Sequence, residues 1–149
     1  MKTIFANYIE QYFNPLIEKY NFSRRNELND GQTYSVEYAS TTFVIQLEKY
    51  RREFYVTLYK ANQSNDKINL FNLLDYLSKP SLIAPAAEYF RDESNIEECY
   101  RKQLNHIATV IYDNLTELNN FFSSEDYDSK VAGLESFVLN KYPELFKRS

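Results

Sequence analysis

Between Thr33 and Tyr59, three stretches alternate in strict period two. Tyr34, Val36 and Tyr38 interleave with Thr33, Ser35 and Glu37. Phe43, Ile45 and Leu47 interleave with Val44, Gln46 and Glu48, and Phe54, Val56 and Leu58 with Tyr55, Thr57 and Tyr59. Successive strand side chains point to opposite faces, so this alternation of β-branched and aromatic residues predicts strands with one buried and one wetter face. Phe22 to Leu28 reads as an edge strand, because the adjacent Arg24 and Arg25 suit an exposed edge. Asn29-Asp30-Gly31 is a strong hairpin turn. The expectation is a four-stranded antiparallel meander over 22–28, 33–39, 42–48 and 53–60.

Helical periodicity flanks the strands. Ile4, Phe5, Tyr8, Ile9, Tyr12, Phe13, Leu16, Ile17 and Tyr20 recur at three- and four-residue spacing, which predicts an N-terminal helix with a wide apolar face. Asn14-Pro15 falls inside it, and proline removes a helical hydrogen bond, so a kink or restart is expected at Pro15. After a polar loop at Ala61–Lys67, a helix is expected over Ile68–Lys79, ended by Pro80, and Ser81–Glu93 reads as irregular with one helical turn. Ser94 or Asn95 caps a stripe of Ile96, Tyr100, Leu104, Ile107, Ile111, Leu115, Leu118 and Phe122, the pattern of a single helix about seven turns long. Ser123–Ser129 reads as a linker. A last helix carries Val131, Leu134, Phe137, Val138 and Leu139, with a short terminal turn at Pro143. The fold class that follows is α+β: an N-terminal helix, a four-stranded antiparallel meander, then three to four helices packed on one sheet face. With 149 residues and no composition shift along the chain, 1–149 reads as a single domain with one core.

Charge divides the chain. Residues 1–60 carry eight Lys/Arg against seven Asp/Glu, and residues 61–149 carry nine against fourteen. An acidic helical half disfavours a phosphate backbone and favours a basic protein partner, so direct nucleic-acid binding is not expected. Cys99 is the single cysteine, which points to a reducing compartment. Neither a secretory h-region nor a membrane-length apolar run is present, so the expectation is a cytoplasmic protein with no membrane partner, either monomer or homodimer.

The residue pattern excludes several common chemistries. Gly31 and Gly133 are the only glycines, and neither lies in a strand-to-helix phosphate turn, so Walker, dinucleotide-binding and nucleophile-elbow motifs are absent. His106 has no strong metal ligand at helical spacing, and Cys99 and Asp113 stand about 10 Å from it along a helix axis. Cys99 reads as a small buried hydrophobe, and Asp126-Tyr127-Asp128 lacks the glycine and terminal glutamate of a calcium loop. No catalytic residue, metal site or cofactor is predicted. The residues offered for partner binding are those of the wetter face and its turn: Glu37, Gln46, Glu48, Arg51, Arg52, Glu53, Tyr55 and Tyr59. Tyrosine and arginine are enriched at binding hot spots because each joins a large contact area to a polar end.

In its Asn14-Pro15-Leu16-Ile17-Glu18-Lys19-Tyr20 segment, its Tyr34–Tyr59 hairpins, its size and its acidity, the chain resembles small single-domain bacterial proteins of unknown function. Among these it is similar in style to the immunity proteins that neutralise polymorphic or contact-dependent toxins. That resemblance implies a non-catalytic protein-binding module, an inhibitor of a basic toxin or effector, and it carries no family residues over. The alternative is a small-molecule-binding protein or minor enzyme with a tyrosine-lined pocket between the sheet and the long helix, using His106 or a carboxylate as its polar group.

Overall fold

The computed structural model describes residues 4–30, 33–63, 66–77 and 94–141. Helix α1 (Ile4–Tyr20) leads into strands β1 (Ser23–Asn29), β2 (Thr33–Ala39), β3 (Phe43–Tyr50), β4 (Glu53–Lys60) and β5 (Ile68–Asn69). Helices α2 (Leu70–Tyr76), α3 (Ile96–Asp113), α4 (Leu115–Ser123) and α5 (Tyr127–Lys141) follow. The class is α+β as expected, and the strands form one antiparallel sheet in sequence order, β1-β2-β3-β4-β5.

Among the described residues the sheet has five strands and not four. Ile68 and Asn69 pair with Leu58 and Thr57, so they extend the sheet before the chain turns into helix. The helix expected from Ile68 therefore begins at Leu70. Asn69 caps it, its side-chain oxygen accepting from Phe71 N at 2.9 Å and Asn72 N at 3.1 Å. One two-residue pairing thus uses Ile68 to close the core and Asn69 to start α2, a dual use that helical periodicity alone does not reveal.

Three further expectations are corrected. No restart occurs at Pro15: α1 runs through it to Tyr20. Phe13 and Leu16, fully buried on either side, hold both halves on the core, and the missing bond falls at the carbonyl of exposed Gln11, where water can replace it. The seven-turn helix is in fact two helices, broken at Asn114 (φ −119°, ψ 14°), whose side chain donates to Val110 O at 2.9 Å. The apolar stripe survives the break, with Leu115, Leu118 and Phe122 buried. The last helix starts at Tyr127, inside the expected linker, because Tyr127 is itself buried against Phe121 and Phe122. The expectations for Gly31, Pro80, Ser81–Glu93 and the turn at Pro143 lie outside the described residues.

α1 and α3 pack on each other and on the inner sheet face. Tyr34, Val36, Tyr38, Phe43, Ile45, Leu47, Phe54, Val56 and Leu58 are buried beneath them. Aromatic rings fill the seam: Phe5 meets Tyr34, Phe54 and Tyr100 edge-on, Phe13 stacks on Tyr38, and Phe43 stacks on Phe122. Lys49 closes one end of this seam, its ammonium 5.1 Å from the Phe5 ring centre and 5.2 Å from that of Tyr100. Burial there lowers its pKa.

Candidate binding face on the outer side of the sheet

Strand register sorts the outer face into cross-strand rows, since directly paired residues share a face. One row is Ser23, Ala39, Val44 and Tyr59; the next is Arg25, Glu37, Gln46 and Thr57. A third is Leu28, Ser35, Glu48 and Tyr55, and the last is Thr33, Tyr50 and Glu53. The rows differ sharply in exposure. Val44, Tyr59 and Glu37 are buried at 1%, 4% and 7%, whereas Leu28, Tyr50 and Tyr55 are 59%, 52% and 42% exposed.

Glu37 anchors the buried half. Its carboxylate accepts from Tyr59 Oη at 2.7 Å, Asn26 Nδ2 at 2.7 Å and Arg25 Nε at 3.1 Å, and Arg25 also donates to Tyr59 Oη at 3.2 Å. Burial alone pushes this carboxyl up. The three hydrogen bonds together outweigh it and hold the pKa below the usual glutamate value. Tyr59 is shifted up, first by burial and then by its bond to Glu37. Thr57 donates to Gln46 Oε1 at 3.1 Å in the same row. A carboxylate so fully engaged ties β1, β2 and β4 together.

A bulge shapes the exposed half. The β1–β2 register shifts between Arg25 and Leu28, where Asn26 adopts a left-handed φ of 54°. Three residues past outward-facing Arg25, Leu28 would otherwise point into the core. The extra residue turns it outward, opposite Ser35. Leu28, Ser35, Glu48, Tyr50 and Tyr55 line a shallow concavity of 410 Å³.

The eight residues singled out from sequence are therefore divided. Glu48, Arg51, Glu53 and Tyr55 gather at the turn end of the β3–β4 hairpin, where Tyr55 donates to Glu53 and the Arg51 guanidinium lies 5.2 Å from the Tyr50 ring centre. Glu37 and Tyr59 belong to the buried network, with Gln46 beside them. Arg52 turns toward α3, its carbonyl accepting from Gln103 Nε2 at 2.7 Å. Two residues of the exposed corner escaped sequence reasoning. Tyr50 had a signal, because the outward alternation Gln46, Glu48, Tyr50 continues past the expected strand end. Leu28 had none, since the bulge reverses its facing.

No protein-family model, curated protein or solved structure matches the chain. What this protein does therefore rests on its geometry. Among the described residues no group of three His, Cys, Asp or Glu side chains is placed to hold a metal ion, and no helix is long and apolar enough to cross a membrane. His106 stacks on Phe71 with ring centres 6.1 Å apart, and Cys99 is buried beneath the β3–β4 turn. A larger groove, 670 Å³, separates β5 and α2 from α5 and is lined by Ile68, Asn72, Val131, Leu134, Val138 and Leu139 among others. It has no tyrosine among its described lining and lies away from the sheet–α3 interface, where Tyr100, Leu104 and Ile107 are buried in the core.

Proposed function

We propose that the protein is a non-catalytic protein-binding module that docks its partner on the exposed half of the outer sheet face, in the manner of an immunity-type inhibitor of a basic toxin or effector. The observation that carries this reading is the clustering of Leu28, Tyr50 and Tyr55, all more than 40% exposed, in one concavity of a sheet face whose other half buries Val44, Tyr59 and Glu37. Isolated exposed apolar residues are ordinary. Several gathered on a flat, hydrogen-bonded scaffold and edged by charges have the make-up of a docking patch. Formal charge of −4, concentrated in the helical half, supports a basic partner through electrostatic steering. The single cysteine, Cys99, free of any disulfide, supports a cytoplasmic site of action.

Co-expression with the products of neighbouring genes, followed by size exclusion, tests the reading. A co-eluting complex is expected, and Tyr55→Ala is expected to weaken it about tenfold or more, the effect of removing a hot-spot tyrosine. If no neighbour co-elutes, or if Tyr55→Ala and Leu28→Ala leave the complex unchanged, the proposal is wrong.

A further inference from the structure

Across the end of the β3–β4 hairpin, Glu48 faces Tyr55 and Tyr50 faces Glu53. Glu48 and Tyr50 are two apart on β3, and Glu53 and Tyr55 are two apart on β4, so all four project from the same face. Directly opposed residues have Cβ atoms about 4.5–5.5 Å apart. Two carboxylates and two phenol rings thus alternate at the corners of one small square. Tyr50 and Tyr55 are exposed, as is Glu48, which makes no hydrogen bond or ion pair with any described residue. Its counterpart Glu37, one row along, has three donors on its carboxylate. The two outward glutamates of β2 and β3 therefore differ in kind: one is consumed by the fold, the other is held open.

We infer that this Glu48–Tyr50–Glu53–Tyr55 square is a receptor for a guanidinium group, an arginine side chain presented by the partner. The inference rests on the docking face proposed above and names the chemistry read there. A guanidinium is planar and weakly hydrated, stacks on aromatic rings and donates a fork of N–H groups to carboxylates. The Glu48 carboxylate and the exposed Tyr55 ring offer both surfaces side by side, while Glu53 accepts from the Tyr55 hydroxyl and Ser35 stands beside Glu48 as a further hydroxyl. The corner already draws such a group from within the chain. Arg51, held at the turn by a left-handed φ of 57°, lays its guanidinium over Tyr50. That contact engages Tyr50 and leaves the Glu48 carboxylate for the incoming cation. A second copy of this chain is a poor occupant, because an isologous contact centred on the row would set Glu48 against its own symmetry mate.

The test is a titration of isotopically labelled protein with acetyl-arginine-amide, followed by amide chemical shifts, with acetyl-citrulline-amide as the neutral isostere. Shifts confined to Ser35, Glu48, Tyr50, Tyr55 and their immediate neighbours are expected. Affinity is expected to fall about fivefold or more for the citrulline probe, which loses both an exposed ion pair and a cation–π contact, and about twofold or more for Glu48→Gln, which loses the ion pair alone. Unmoved amides elsewhere in the Glu48→Gln spectrum report an intact fold. Equal binding of the two probes, scattered shifts, or no loss in Glu48→Gln overturns the inference. A partner complex broken by Tyr55→Ala but untouched by Glu48→Gln sinks the guanidinium receptor while the docking face stands. Localised arginine binding with no co-eluting neighbour does the reverse.

Discussion

The side-chain amide of Gln103 is joined to the backbone amide of Phe54, 49 residues away, at 3.1 Å. Its other end donates to Arg52 O at 2.7 Å, so one buried side chain of α3 satisfies both polar backbone groups where the β3–β4 hairpin turns. The pairing sets the height of the hairpin against the long helix, and with it the orientation of the exposed corner.

Gln103→Leu keeps the volume but leaves a buried N–H and C=O without partners. A loss of about 2–3 kcal/mol is expected, the desolvation cost of such groups. Denaturant unfolding measures it, and hydrogen exchange at Phe54 is expected to accelerate selectively. Unchanged stability together with unchanged exchange at Phe54 would show that the clamp contributes nothing.

Glu37 makes stability depend on pH. Its folded pKa lies below the ordinary glutamate value, so the unfolded chain binds the proton more readily than the native one. The stabilisation is complete above the unfolded value and is lost as pH falls through the lower folded value. Glu37→Gln is expected to cost about 1–2 kcal/mol at neutral pH, by weakening charge-assisted hydrogen bonds, and to flatten the acid limb of the stability profile below about pH 4.5. Parallel acid limbs for the two proteins would refute this.

Pro15 sits within α1 at the expense of one backbone bond. Since φ and ψ there are already helical, Pro15→Ala restores the donor to Gln11 O and is expected to raise stability by about 1–3 kcal/mol. Thermal melts check it. A lowered midpoint would mean that ring packing outweighs the lost bond.

Gly133 allows α5 to approach α2. A Cβ there would meet Tyr76 Oη at 2.5 Å and Tyr76 Cζ at 3.3 Å, and the Tyr76 ring is packed against Phe137. Alanine improves helix propensity by about 1 kcal/mol but must push the phenol aside. Gly133→Ala is therefore expected to be neutral or destabilising in the native background, yet stabilising by about 0.5–1 kcal/mol once Tyr76→Phe has removed the hydroxyl. A double-mutant cycle reads the coupling, and additive effects would contradict the close approach.

Periodicity is local, and local patterns foretold much of this molecule. Alternation from Tyr34 to Leu58 marked the inner sheet face correctly, because each side chain's facing follows from its neighbours along the strand. The Ile96–Phe122 stripe likewise marked the buried side of α3 and α4, although not the break at Asn114, where a side chain competes for Val110 O. Asn69 could not be seen ending a strand and capping a helix at once, since the pairing of Ile68 with Leu58 joins residues ten apart and leaves no periodic trace.

The outer face divides along the same line. That Glu37, Glu48, Tyr55 and Tyr59 share it follows from spacing alone. That Glu37 and Tyr59 are consumed in a buried network while Glu48 and Tyr55 stay exposed to solvent depends on a bulge at Asn26 and on Arg25 reaching from β1 to Tyr59 on β4. Facing is settled between adjacent residues. Exposure is settled by whatever distant chain arrives to cover them, and only the folded arrangement of this chain specifies that.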